Sequence, residues 1–292
     1  MKKAVTRRRW SIEKRLEFID FQLFWNGQIN RSDIMEKFGV SVPQASKDLG
    51  LYQEVAASNI NYDRSEKRYL ATKTFKPKFF KPDANAYLMQ LRDDVNKLND
   101  TDVVGQSYLP IHDTVPMPAR IIDPNILREV TTASRECKSL KIFYQSMSSA
   151  EPSWRSISPH AFAFDGLRWH TRAFCHKDNV YKDFLLPRIL KVGNFGEKTI
   201  PTKEDYVWQD FVTVCLKPHP KLNENQSKAV ALDYNMKNMQ LNVEVRLALL
   251  YYFLKRLNLD FEEERRKPQE QHVVLANKAE VKKALNRAQY TH

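Results

Sequence analysis

The run Lys37-Phe38-Gly39-Val40-Ser41 leads into Val42, Pro43, Gln44, Ser46 and Lys47, side chains that can read the edges of base pairs. A glutamine amide can pair with adenine through two hydrogen bonds, a lysine can donate to guanine, and a serine can serve a base or a phosphate. Gly39 is the residue expected at a left-handed turn between two helices. In such a pair the second helix lies in the major groove with its N-terminal side chains against the bases. Ser41 and the N–H groups beside it form a helix N-terminus suited to a phosphate. Arg64, Lys67 and Arg68 fall at the tip of a hairpin, where a wing would touch flanking backbone; Arg7-Arg8-Arg9 could reach a minor groove or phosphates. A small helical bundle with a solvated basic face is the bland alternative. The order helix, glycine turn, helix, hairpin argues against it.

Charge supports the same part of the chain. The 292 residues carry 47 Lys/Arg against 35 Asp/Glu, a net charge of +12, which favours polyanionic partners. More than half of that excess lies in residues 1–80, with sixteen basic and nine acidic residues.

Catalytic chemistry finds little support. Cys175 and His176 are sequence neighbours and would point to opposite faces of a strand. His160, His170 and His176 lack compact metal-ligand spacing. The acidic run Glu262-Glu263-Glu264 abuts Arg265-Arg266-Lys267 and reads as a solvated loop rather than a magnesium site. With seven glycines there is no phosphate-cradling loop to build on. The sequence therefore asks for no enzyme, metal or cofactor. A nuclease-like enzyme and a ligand-independent architectural DNA binder are the rival readings. Cys137, Cys175 and Cys215 are odd in number and far apart, as in a reducing cytoplasm. Residues Met1 to Trp10 lack the apolar core of a signal peptide, and the longest apolar run, Leu247 to Leu254, is too short to cross a bilayer.

The elements that must position these residues follow from periodicity. Ser11 is expected to cap a helix carrying Ile12, Leu16, Ile19, Leu23 and Phe24 inward. A short helix follows Ser32, and Ser41 caps a third with Pro43 in its first turn. Ile60 to Leu70 reads as a two-stranded ribbon, residues 73–83 as a basic connector, and Ala84 to Leu98 as a helix. Residues 100–123 read as an extended linker, and Pro124 opens a helix to about Lys138. Strands are expected at Lys141–Gln145, Trp154–Ser158, Ala161–Phe164, Arg168–Phe174 and Phe184–Val192. Such short strands, with turns like Asp165-Gly166, suggest a small barrel. Beyond Pro201 come strands at Phe211–Leu216, Met239–Val245 and His272–Leu275, and helices at Glu224–Leu232, Arg246–Leu257 and Ala279–Ala288. The Arg246–Leu257 helix is apolar on more than one face, so a partner chain, another domain or its own core must cover the excess.

The text Leu140-Lys141-Ile142-Phe143-Tyr144-Gln145-Ser146, then Arg155 to His160, Gly166 to Phe174 and Phe184 to Ile189, resembles the WYL domain. Trp169 keeps the first letter of that name, with His170-Thr171 in place of Tyr-Leu. The Trp169-His170-Thr171-Arg172-Ala173-Phe174-Cys175 variant, the N-terminal helix-turn-helix and Leu216-Lys217-Pro218-His219-Pro220 are similar to the BrxR/CapW-type repressors of bacterial phage-defence (BREX/CBASS) loci. The resemblance implies an α+β multidomain chain: a winged helix-turn-helix (residues 1–80), a helical and extended linker (81–123), an Sm-like (SH3-like) small β-barrel WYL domain (124–200) and an α/β WCX domain (201–292). It implies a homodimeric transcriptional regulator bound to an inverted-repeat operator in double-stranded DNA. It also implies a single-stranded nucleic acid or nucleotide effector sensed by the WYL domain. By motif position the sensor residues would be Tyr144, Ser158, His160, His170, Arg172 and Arg188. Alternation turns Trp169 and Thr171 one way, with Trp169 in the core, and His170 and Arg172 the other, on an exposed face. Arg172 and Arg188 would then grip phosphate, or pair with Asp165 or Asp183 on the barrel surface.

Overall fold

The computed structural model describes residues 2–97, 110–118, 120–198, 202–260 and 266–289, and the chain divides into two compact units, residues 1–116 and 117–292. In the first unit α1 (Lys2–Asn26) leads through the two-residue strand β1 (Gln28–Ile29) to α2 (Arg31–Phe38) and α3 (Val42–Val55); β2 (Ile60–Asp63), β3 (Arg68–Ala71) and α4 (Ala84–Lys97) follow. The core is helical on three sides. Leu16, Ile19 and Leu23 of α1 meet Ile34 of α2 and Ala45, Leu49 and Tyr52 of α3, while Ile29 and Ile60 close it from the sheet. Asn30 caps α2 in a reciprocal box with Asp33, and Gly39 (φ +62°) ends it in the left-handed conformation.

Several expectations are corrected here. α1 runs back to Lys2, so Ser11 lies inside the helix and does not cap it. Phe24 is 39 % exposed and packs on Trp25, Phe75 and Phe80 instead of the core. The ribbon is a three-stranded sheet in the order β1-β3-β2, because Gln28 and Ile29 pair with Leu70 and Tyr69. Residues 73–83 are anchored: the fully buried Asp20 accepts from the backbone N–H groups of Lys78 (2.5 Å) and Phe79 (2.7 Å), and from the Tyr52 hydroxyl. Tyr87 of α4 stacks on Trp25 at 4.2 Å. Of the extended linker expected at 100–123, residues 100–109 and 119 lie outside the described residues, and 110–118 and 120–123 form no helix or strand.

The second unit opens with α5 (Pro124–Arg135), capped by Asp123, whose Ile126, Val130 and Ala133 lie on a five-stranded antiparallel sheet. Its strands are β4 (Lys138–Tyr144), β5 (Ser153–Phe164), β6 (Trp169–Cys175), β7 (Val180–Leu185) and β8 (Ile189–Lys198), ordered β7-β6-β5-β4-β8. Two predicted strands, 154–158 and 161–164, are one. Between Pro159 and Ala161 it bulges by a residue, a position that tolerates a proline without an N–H. The predicted strand 184–192 is two, split by a 3-10 turn at Leu186–Arg188. That turn carries the chain across to β4. No pairing joins β7 to β8 among the described residues, so the sheet has five strands but is not the closed Sm-like barrel expected.

The chain continues through α6 (Tyr206–Gln209), β9 (Phe211–Pro218), α7 (Glu224–Asp233), β10 (Leu241–Arg246), α8 (Leu250–Arg256), β11 (Val273–Leu275) and α9 (Lys278–Gln289). β10, β9 and β11 form an antiparallel sheet whose Val214, Leu216 and Val245 pack on Leu247, Leu250, Leu254 and Val281. The long apolar helix is shorter than read. Leu247–Leu249 form a 3-10 turn, and α8 begins at Leu250. Part of its apolar surface is covered within the unit, where Leu250 and Leu254 are buried and Tyr252 reaches Asp183 of β7, while Tyr251 stays 43 % exposed. Gly166, with φ +96°, turns β5 into β6 beneath Arg256 of α8; a Cβ there would lie 2.6 Å from the guanidinium. Mixed helix and sheet in both units is the α+β organisation expected.

Candidate nucleic-acid interface

At the start of α3, Ser41, Val42, Pro43 and Lys47 are exposed, Gln44 and Ser46 are half-buried, and Ala45 faces the core. Ser41 occupies the cap position, but its hydroxyl makes no capping bond and is available to a phosphate. Gln44 is not free to rotate. Its Nε2 donates to Asp48 Oδ1 at 3.0 Å. Asp48 is buried and gripped by Arg15 of α1 through two bonds, 2.6 and 3.1 Å. A carboxylate only accepts, so the amide nitrogen must face Asp48. Oε1 and the second N–H of Gln44 are not engaged by that bond. Sequence reasoning named Gln44 but missed Arg15 and Asp48; one turn between Gln44 and Asp48 was the available signal.

At the hairpin, Asp63 Oδ1 accepts from the N–H groups of Ser65 and Glu66 and from the Ser65 hydroxyl, which rigidifies the turn and lowers the Asp63 carboxyl below its ordinary range. Arg64 and Lys67 are exposed, Lys67 in the left-handed conformation at φ +53°. Arg68 differs: it donates to Gln28 Oε1 at 2.7 Å and pairs with Glu66 at 3.5 Å. Arg64 and Lys67 thus keep exposed side chains, whereas Arg68 fastens β1 to the hairpin. Arg7, Arg8 and Arg9 lie in the backbone of α1, and their side chains are outside the described part.

The six expected sensor residues do not form an open patch. Tyr144 is in the core, edge-on to Phe184, with its hydroxyl accepting from Leu185 N–H at 3.3 Å. Ser158 is buried against His176 Nε2 at 2.7 Å. The expected alternation of burial fails: Trp169 is 49 % exposed and packs on the equally exposed Phe164, while Thr171 is buried as expected but His170 and Arg172 are inside as well, at 3 % and 1 %. The reason is charge pairing. Arg172 donates to Asp205 through Nε (2.8 Å) and Nη2 (3.0 Å) and to Asp183 through Nη1 (3.3 Å). His160 donates to the same Asp205 at 3.0 Å, and His170 donates to Asp165 at 2.9 Å. Arg188 is half-buried, and its guanidinium has no partner among the described residues. Asp205, the cap of α6, and Tyr252 were missed by sequence reading. An aspartate before a helical turn signals a cap, but nothing signals its ion pair 33 residues back.

Burial alone would raise the Asp205 carboxyl. The bonds from His160 and Arg172, the Arg172 charge and the Trp208 N–H outweigh burial and hold it at about 2. Asp165 behaves alike: burial opposes ionisation, and His170, Arg168 and two backbone N–H groups bring it to about 2. Burial and Asp183 push the Tyr252 phenol well above its ordinary value, so it stays a donor.

Comparisons with known proteins fit this architecture. Residues 11–93 match a family model described as the BrxR transcriptional regulator winged helix-turn-helix domain, residues 125–193 the WYL domain, and residues 211–281 the BrxR transcriptional regulator, C-terminal dimerization domain. That order of domains defines a WYL-type transcriptional regulator. Curated relatives extend over nearly the whole chain. The DNA-binding transcriptional repressor CapW of Stenotrophomonas maltophilia is 40 % identical over 275 residues, 94 % of this chain and 92 % of its own. CapW of Pseudomonas aeruginosa is 39 % identical (94 % and 92 %), and that of Escherichia coli (strain KTE188) 38 % (94 % and 91 %). The chain belongs to the CapW family of DNA-binding transcriptional repressors. This is a family of regulators rather than enzymes, in agreement with the sequence reading. No helix among the described residues is long and apolar enough to cross a membrane.

Proposed function

We propose that this chain is a cytoplasmic repressor that binds an inverted-repeat operator as a homodimer. Residues 1–80 read DNA, 81–123 connect, 124–200 sense, and 201–292 dimerise. Ser41, Pro43, Gln44, Ser46 and Lys47 face the major groove, Arg64 and Lys67 the flanking phosphates with Arg68 behind them, and Arg7, Arg8 and Arg9 a neighbouring groove or backbone. The observation that carries this reading is the orientation of Gln44 at the exposed start of α3 by the buried Arg15–Asp48 pair. The resemblance to phage-defence regulators supports control of such an operon. An effector with phosphate groups, a single strand or a nucleotide, would act on the WYL domain. Arg188 is its first contact, because it is the one expected sensor cation without a partner among the described residues. Arg172, His160 and His170 respond as parts of the clasp to Asp205 and Asp165.

Footprinting and competition binding test the reading. Two protected half-sites are expected about one helical turn, or a multiple, apart. Gln44→Ala should relax base preference at one position in each, at a cost of about 1–3 kcal/mol. One unpaired half-site, or no preference over competitor DNA, would refute it. Lys67→Ala should weaken all sequences alike and lower the slope of log affinity against log salt by about one. An unchanged slope places Lys67 away from DNA. Arg188→Ala should spare operator affinity and abolish release by the effector.

A further inference from the structure

The segment Leu216-Lys217-Pro218-His219-Pro220 has no part in DNA reading or in the Arg172 clasp. With Ser227, Asn238, Met239 and Gln240, its residues 217–220 line a cavity of about 300 Å³. That is the lower end of the range for small-ligand sites. No acidic residue lines it. Two features there lack a structural explanation. His219 is 2 % exposed, and its Nδ1 accepts from the Lys221 backbone N–H at 3.1 Å. The ring proton therefore sits on Nε2, which is buried and has no hydrogen-bond partner. A buried donor left unmade is costly and rare in folded proteins. On the cavity lining, Asn238 (φ +51°) and Met239 (φ +62°) form a turn closed by pairing between Lys237 and Gln240. Asparagine suits that left-handed conformation; methionine does not.

We propose that this cavity binds a small phosphate-bearing molecule of nucleotide size. A phosphoryl oxygen accepts from His219 Nε2–H, the Lys217 ammonium supplies the opposing charge, and Ser227, near the start of α7, gives a third donor. Pro218, Pro220 and Met239 offer apolar walls to the rest of the molecule, and the Asn238 and Gln240 amides its polar contacts. The lining has no phenylalanine, tyrosine or tryptophan on which successive bases of a longer strand would stack, and the His219 ring is buried, which favours a free small molecule. Nε2 is covered in this conformation, so the oxygen reaches it by a shift of the lining, and the strained Asn238-Met239 turn is the segment with most to release.

The test uses the full chain in its solution oligomeric state, with histidine ring nitrogens labelled and the His219 resonance assigned by its loss in His219→Gln. Adenosine monophosphate and inorganic phosphate are the probes; adenosine is the uncharged control. A saturable shift of the His219 Nε2–H signal is expected with both phosphates and not with adenosine. Lys217→Ala and Ser227→Ala, both outside the core, should weaken it at least tenfold while keeping operator affinity, which separates this site from the DNA-reading proposal. No saturable shift, an equal shift with adenosine, or undiminished binding in both variants overturns the proposal. A shift that follows protein concentration rather than phosphate overturns it too, and assigns the cavity to a second copy of the chain.

Discussion

Arg172→Leu should lower the stability of the 117–292 unit by about 3–5 kcal/mol, the usual cost of leaving a buried charge without its partner. The substitution strips Asp205 of two charge-assisted bonds and Asp183 of one, with Asp205 and Arg172 each 1 % exposed at the side chain. His160 and the Trp208 N–H remain on Asp205 but cannot replace the guanidinium fork. Urea melts of wild type and variant give the difference, and a loss under 1 kcal/mol would mean that water reaches the cluster. The double variant Arg172→Leu/Asp205→Leu should recover part of the loss, because two apolar groups need no partners. The same carboxylates set an acid limit. Asp205 and Asp165 are both held at about 2, below the ordinary value of 3.8. Their contribution is complete above the unfolded value and is lost as pH falls from about 4 through 2. Wild-type stability should fall over that window, and Arg172→Leu should flatten the fall.

The second large effect lies in the other unit. Arg15→Leu should cost a similar 3–5 kcal/mol, because Asp48 keeps only the Gln44 amide as a partner in a buried position. Operator affinity should drop at the same time. α3 loses one of its polar ties to α1, keeping the bond from Tyr52 to Asp20, and Gln44 loses the anchored carboxylate that fixes its orientation. Lys is a poor substitute, since a single ammonium cannot reproduce the paired bonds from Nε and Nη2. Arg15→Lys should therefore fold, bind DNA more weakly, and discriminate less at the base opposite Gln44. Melting and binding titrations on the same preparations separate the two effects. Full discrimination in Arg15→Lys would remove Asp48 from the reading apparatus.

Much of this molecule was legible in its residues, for reasons of local physics. Gly39, Pro43 and the apolar spacing of α1 and α3 act within a few residues of themselves, so the helix-turn-helix could be read directly. What failed depended on contacts distant in sequence. The rule of alternation put Trp169 inside and Arg172 outside, because a tryptophan is more apolar than an arginine. Asp205, 33 residues away, reverses that order by supplying a buried arginine with an acceptor for each of two donors. Residues 73–83 looked like a tether because lysine and proline dominate them. Their anchoring comes from backbone N–H groups, which composition does not show, meeting Asp20 of the first helix. The apolar excess of the 246–257 segment was correctly seen, while its destination, partly the neighbouring sheet through Tyr252, was left open among three choices.

The single unpaired residue in β5 has an effect on parity. Pro159 stands opposite Ala173 and Ala161 opposite Arg172, so His160 has no counterpart on β6. Every side chain before it keeps one phase of the pleat, and every one after it the other. Removing His160 would therefore straighten the strand rather than reverse it. Pro159 and Ala161 would become neighbours already in phase with Ala173 and Arg172, so Ile157 and Ala163 would keep their present faces. The losses would be the bend of the strand and the bond from His160 to Asp205. Any other single deletion within these two strands lacks such a spare residue and would turn every side chain beyond it to the opposite face. Length variation in this pair should for that reason concentrate at position 160 and in the loop that joins the strands.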